Sequence, residues 1–435
     1  MRRLALCCFA LSLAGPAGAD ELTEQSQIKL QATYIGQAKR PFSAPYSGAN
    51  SLLPEREFSR TFTSTLYAGW RLGSDTELHF NPEAALGVPL SHLSGLGGFT
   101  NNEIARTSGP DLKVYRARLF LRQSWGLGGE TEWLESGQNQ LAGKADVNRI
   151  VLTAGNLSAL DIFDANAYSH EPRRQFINWS LVAHGAWDYP ADARGYTWGA
   201  AVEYLSAGWA LRAGRFMQPK ESNGLPLNPR LLDSYGDVLE WERDYTFAGR
   251  QGTLRLLGYR NVAPMGNFRS AIDNAPNTGA IPDLSVGRKR RSKVGAGLGV
   301  EQRVAEHAGA FLRASLHDGK TETYAFTEID RSLSGGVVLE GALWGSAGDS
   351  AGIAFARNGL SSAHRDYLAR GGLGFFLGDG QLNYRPEQIV EGYFSRRLAK
   401  ALWASLDYQR IRNPGYNADR AGPVDVWSIR MHTEF

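Results

Sequence analysis

Past Cys8 the 435-residue chain contains no cysteine. Past residue 20 it contains no apolar run long enough for a spanning helix, which needs about 20 residues. The first absence excludes the disulfide staples common in secreted soluble domains, and any structural zinc site built on cysteine. The second leaves one way to live in a membrane, a closed β-barrel, because only helices and barrels satisfy every backbone polar group in lipid. Charge of one sign is also missing. The 47 basic and 44 acidic residues become 45 and 44 when Arg2 and Arg3 are set aside, a net of about +1 that argues against a nucleic-acid partner. The eight histidines show no H-E-x-x-H or paired spacing and no serine stands out as an activated nucleophile, so neither enzyme chemistry nor a metal or other cofactor is expected.

What is present begins with an export signal. Arg2 and Arg3 precede a short apolar stretch, Leu4 to Ala14, and Ala17-Gly18-Ala19 supplies the small residues of a cleavage site. Asp20, not a lipoprotein cysteine, follows. We read residues 1–19 as a signal peptide and 20–435 as one barrel domain, since no linker, charge block or composition shift divides the rest.

From residue 25 onward the dominant pattern has period two. Ile28, Leu30, Ala32 and Tyr34 alternate with Lys29, Gln31 and Thr33, and Leu402, Ala404, Leu406 and Tyr408 alternate with Ser405, Asp407 and Gln409. Soluble sandwiches alternate too, but three further features select a membrane. Aromatics recur near the ends of apolar faces, as girdles at two interfaces require. Tight turns such as Gly73-Ser74-Asp75 and Ser206-Ala207-Gly208 alternate with long stretches near 38–59, 88–111, 218–236, 263–290 and 358–385. The last strand presents Trp427, Ile429, Met431 and Phe435 on one face, a terminal pattern suited to the outer-membrane assembly machinery. The expected fold is therefore an all-β, transmembrane antiparallel barrel with long extracellular loops, in the outer membrane of a Gram-negative cell. Sixteen strands are preferred. The alternative, 18, keeps segments 131–137 and 177–183 as strands; dropping both leaves 157–193 as one long loop.

Gly295-Ala296-Gly297-Leu298-Gly299 superficially matches a phosphate-binding turn, but no helix follows it, and small residues on the polar face of a strand are the better reading. Asp161 and Asp164 fit a structural loop network better than a catalytic pair. Inward positions such as Lys29, Arg71, Glu77, Glu301, Asp407 and Arg430 mix both signs, as befits a wall solvating neutral polar molecules. Selection should come from loops folded inward, where Glu103, Arg106, Glu171, Arg173 and Arg174 could meet sugar hydroxyls and Trp187, with Trp179 and Tyr189, could stack on a sugar ring.

Several stretches then become recognisable in order. They include Val114-Tyr115-Arg116-Ala117-Arg118-Leu119-Phe120-Leu121-Arg122-Gln123, Ala186-Trp187-Asp188-Tyr189, Ala325-Phe326-Thr327-Glu328, Asn413-Pro414-Gly415-Tyr416-Asn417 and Arg430-Met431-His432-Thr433-Glu434-Phe435. Together they resemble the OprB-type carbohydrate-selective porins, from about residue 110 to the end. The resemblance implies a monomeric barrel of sixteen strands that passes small sugars by diffusion, with loop arginines and glutamates such as Glu103 and Arg106 at the constriction. The rivals are a barrel for polysaccharide export or surface attachment, an outer-membrane enzyme, and a soluble periplasmic all-β protein.

Overall fold

The computed structural model describes residues 23–103, 109–276, 279–326 and 328–435, so the expected signal peptide and Arg106 lie outside the described residues. In chain order the strands are β1 (Ser26–Lys39), β2 (Glu57–Arg71), β3 (Thr76–Gly87), β4 (Lys113–Gly126), β5 (Thr131–Leu134), β6 (Gly143–Asp146), β7 (Arg149–Leu157), β8 (Thr197–Ser206), β9 (Trp209–Met217), β10 (Tyr235–Phe247), β11 (Arg250–Met265), β12 (Lys289–Ala305), β13 (Ala308–His317), β14 (Arg331–Glu340), β15 (Ser350–Gly359), β16 (Glu387–Ala399), β17 (Leu402–Arg412) and β18 (Val424–Glu434). All but β5 and β6 form one closed antiparallel barrel of sixteen strands, each hydrogen-bonded to its neighbour in the chain. Strand β4 skips the hairpin to pair with β7, and β1 pairs with β18 to close the ring. The seam runs to the last residue: the Phe435 amide donates to the Leu30 carbonyl at 2.8 Å. Of the two segments that separated 16 from 18, 131–137 supplies β5 of the separate hairpin and 177–183 holds a single helical turn, α1 (Trp179–Val182). Neither enters the wall.

Closure gives the alternation its meaning. Ile28, Leu30 and Tyr34 are exposed on the outside while Gln31, Thr33 and Gln37 are buried inside. The same holds on β17 and β18, where Leu406, Trp427 and Ile429 face out and Asp407, Ser428 and Arg430 face in. Aromatic pairs on the outer surface, Tyr408–Trp427 at 4.6 Å and Trp344–Phe394 at 6.0 Å, suit the two interfaces of a bilayer. One irregularity re-aims side chains. Pro82 cannot donate to the ladder, and the β3–β4 register slips there between Asn81 and Pro82, leaving Ala117 unpaired. After this bulge the phase of β4 changes, so that Arg118, Phe120 and Arg122 join Tyr115 on the inner face.

One end of the barrel carries both strand termini β1 and β18 and the connections 72–75, 127–148, 207–208, 248–249, 306–307, 341–349 and 400–401. The other carries 40–56, 88–112, 158–196, 218–234, 266–288, 318–330, 360–386 and 413–423. The short–long rhythm read in the sequence is thus present, with 127–148 its exception. Two further short helices sit in the long connections, α2 (Phe268–Asp273) and α3 (Ser362–Ala369). No described helix is long and apolar enough to cross a membrane, which says nothing of crossing by strands.

Candidate functional site

A water-filled barrel of this size would pass solutes freely, so the site is whatever narrows it. Here the connection 158–196 turns into the lumen and is held there by charged side chains of the wall, of which the sequence pattern points out Glu301 as an inward charge. The Glu240 carboxylate accepts from the Asp164 amide at 2.7 Å and Glu301 from the Ala167 amide at 2.7 Å. Glu391 accepts from the Ile177 and Asn178 amides at 2.6 and 2.9 Å. Arg313 donates to Asp164 at 2.8 Å and to the Ser169 and Leu181 carbonyls at 2.8 and 2.9 Å. The fully buried Asp188 takes Lys293 Nζ at 2.8 Å together with the amides of Tyr324, Ala325 and Phe326, tying two inserted connections to β12 at one carboxylate. Asp161 and Asp164 are thereby members of a structural network, with Arg118 forked onto Asp161 at 2.7 Å through two bonds.

The glycine stripe on β12 belongs to the same fitting. A Cβ at Gly297 would come within 2.7 Å of the His184 ring, one at Gly309 within 2.0 Å of Tyr168 and one at Gly352 within 2.7 Å of Phe176. Glycine on the inner wall makes room for the inserted connection rather than for solute. A Gly-x-Ser-x-Gly spacing that sequence reading misses does occur, Gly348-Asp349-Ser350-Ala351-Gly352. It opens β15, with Ser350 opposite Glu340 and Ser395 in antiparallel register, so it is not the strand-to-helix elbow that activates a nucleophile.

The predicted site residues separate into three groups. Glu103, Glu171 and Arg173 come together: Arg173 Nε donates to Glu103 at 3.0 Å and Nη1 to Glu171 at 3.2 Å. Thr63 on β2 adds a hydroxyl to Glu103 at 2.5 Å. This triad joins the connections 88–112 and 158–196 across the lumen. Arg174 turns away, donating to Glu434 at 2.8 Å with its guanidinium over the Trp403 ring at 4.2 Å. Trp187 corrects an expectation. It is 1 % exposed, packed edge-on to Phe163 and tilted against Tyr189, and it presents no face to a solute. Trp179 and Tyr189 are likewise stacked inside, with Phe326. The physical reason is that a segment crossing a polar lumen needs an apolar core of its own to hold one shape, and these rings provide it. Next to the triad lies a polar cluster that sequence reading did not single out, in which Thr65, Tyr115 and Tyr196 all donate to Glu83. Its signal was available in part, because Thr65 and Glu83 fall on inward positions.

Burial, opposed by Arg173 and the Thr63 hydroxyl, pushes the Glu103 carboxyl up to about 7, with Glu171 and Glu83 adding repulsion. For Glu171 burial also acts upward, but Arg173 and its neighbours outweigh it and hold that carboxyl below the usual range. Raising the pH through about 7 should therefore ionise Glu103 and move the lumen towards cation preference. Reversal potentials of the reconstituted barrel under a salt gradient measure this shift, and Glu103→Gln should flatten it. An undiminished shift in that variant would assign the titration to a different group.

A carbohydrate-selective porin family, OprB, matches residues 49–435. The chain belongs to the OprB family. The match begins well before residue 110, so β2, β3 and the connection bearing Glu103 are part of the family pattern, while β1 precedes it. No curated protein sequence matches the chain. Among solved structures, the high-pH structure of Pseudomonas putida OprB is similar over 94% of both chains, with 16% identity and a TM-score of 0.71. The low-pH structure of the same protein covers 94% of this chain and 93% of its own at 12% identity, with a TM-score of 0.50. The outer-membrane channel DcaP of Acinetobacter baumannii covers 94% and 97% at 10% identity, again with a TM-score of 0.50. At these identities the likenesses carry the fold alone. Family and fold together make this an outer-membrane porin for carbohydrates, point to a passive channel rather than an enzyme, and do not favour the export or surface-attachment reading.

Proposed function

We propose that small sugars diffuse through this porin down their own gradient, and that the Glu103–Arg173–Glu171 triad is the narrowest and most selective point. The observation that carries this is the meeting of two inserted connections at one arginine, which offers a planar set of donors between two acceptors. A sugar hydroxyl both donates and accepts, so it can replace water at such a triad without needing a net charge. Arg106, three residues beyond Glu103 in the sequence, is a further candidate for contact with sugar hydroxyls. The short-turn end would face the periplasm and the end with long connections the outside, as in other bacterial barrels. Residues 1–19 would be removed on export, the strand ending at Phe435 would be read by the assembly machinery, and the porin would act as a monomer.

Liposome swelling with purified, refolded protein tests the reading. Monosaccharides should permeate fast, di- and trisaccharides progressively more slowly, and amino acids of similar size less well than sugars. Arg173→Ala should flatten the dependence on sugar size while the barrel still folds. No swelling by a folded wild-type barrel would mean a closed lumen and would sink the proposal.

A further inference from the structure

The connection 127–148 stands apart, because it lies among tight turns at the end opposite the long connections. It folds as the hairpin of β5 and β6, paired from Thr131↔Asp146 to Leu134↔Gly143. Its tip, 135–142, is received by inward side chains of three wall strands. Gln27 donates to the Gly137 and Gln140 carbonyls at 3.0 and 2.9 Å, and Lys29 to the Ser136 hydroxyl at 2.7 Å. Arg122 donates to the Asn139 carbonyl at 2.8 Å and Arg71 to the Ala142 carbonyl at 3.3 Å. From below, the Glu24 carboxylate accepts from Ser136 and from the Ala142 amide, both at 2.8 Å. So many bonds to one turn hold it inside the barrel mouth, where a solvated turn would need none.

The tip connects to the triad through one wall residue. The Gln31 amide lies 3.0 and 3.1 Å from Arg173 Nε and Nη2, and since arginine only donates, the Gln31 oxygen faces it and also accepts from the Tyr67 hydroxyl at 2.6 Å. The Gln31 amino group then faces the Gln138 side chain. Glu103, Arg173, Gln31 and Gln138 thus form one continuous polar chain from the inserted connections of one end to the hairpin tip of the other. Beside it the Asn139 side-chain oxygen is enclosed with no hydrogen-bond partner among the described residues.

We propose that the hairpin tip is a second specificity element of the pore, in which Gln138, held in place by the buried Gln31, and Asn139 present neutral carboxamides to sugar hydroxyls on the periplasmic side of the triad. The inference rests on the porin reading. Carboxamides donate and accept without net charge, so they match a polyol and offer little to a bare ion. A sugar leaving Arg173 would meet amide partners at once, and its hydroxyls would not pass through an unsatisfied position.

Three variants test this: Gln138→Ala, Gln138→Glu, and a chain in which 136–140 is replaced by a two-residue Asn-Gly turn that keeps β5 and β6. Folding is checked by heat-dependent gel mobility, and each is compared with wild type for mono- and disaccharide swelling and for single-channel conductance in potassium chloride. Gln138→Ala should change the monosaccharide-to-disaccharide ratio by about three- to tenfold, the worth of one hydrogen bond. The shortened tip should raise conductance and abolish most of the size dependence, and Gln138→Glu should slow sugars while favouring cations at unchanged width. Folded variants that match wild type in all three readouts would overturn this role of the tip while leaving the porin reading intact. A wild-type barrel that passes no sugar would instead overturn the reading on which it rests.

Discussion

Asp188→Ala should unseat the inserted connection and destabilise the barrel by about 3–5 kcal/mol, the usual result of removing one partner from a buried ion pair. Lys293 and Asp188 are both fully buried, and the carboxylate also receives three backbone amides of the connection 318–330. Loss of the carboxylate leaves the ammonium with the Glu322 carbonyl and strands those amides in the lumen. Urea unfolding of the refolded barrel in vesicles reads the stability, and single-channel recording reads the pore. The expected pair of results is a lowered midpoint and a larger, noisier conductance, because 158–196 would no longer be tied to β12. A lowered midpoint with unchanged conductance would mean that the remaining anchors, Glu240, Glu301, Glu391 and Arg313, hold the connection without it. Neither effect would mean that the pair does not anchor the loop at all.

Leu406→Arg should cost about 2–4 kcal/mol, the depth-dependent penalty of a charge on the lipid face near the midplane. Leu406 pairs with Ile429 in the β17–β18 ladder, both exposed on the outer surface, between the Tyr408–Trp427 pair and the strand end at Glu434. Leu402 makes the internal control. It begins β17 opposite Thr433, at the rim, where the same substitution should cost only about 0–1 kcal/mol. Equal costs at the two positions would contradict the placement of the bilayer, and negligible costs at both would put the outer face in water.

Much of the candidate site could be reached from sequence because arginines and glutamates clustered in long polar stretches have few places to go in a barrel. Glu103, Glu171 and Arg173 are candidates on that ground, but that they join one another as ion pairs is visible only in the structure. Such reasoning failed where a side chain could serve two masters. Trp187 has the chemistry to stack on a sugar, but the inserted connection needed a core and took the ring for that purpose. Glu301 and Glu391 have the chemistry to solvate a lumen, yet they accept backbone amides of the same connection. The hairpin at 131–146 was half visible, since β5 could be suspected as a strand while its partner β6 could not be placed.

Alternation, turn spacing and outer aromatics are written into the chain residue by residue, because a strand turns successive side chains to opposite faces whatever lies beyond it. The sequence by itself therefore determined a closed barrel of sixteen or eighteen crossings and the side that residues of its regular strands face, while the count of sixteen and the change of phase on β4 were settled by the structure. Which inward residues meet solute, which hold a loop and which meet the hairpin tip was decided only by tertiary structure. Those assignments depend on contacts between segments as distant as Asp188 and Lys293 or Gln31 and Gln138, and a period-two pattern carries no information about what fills the space it encloses.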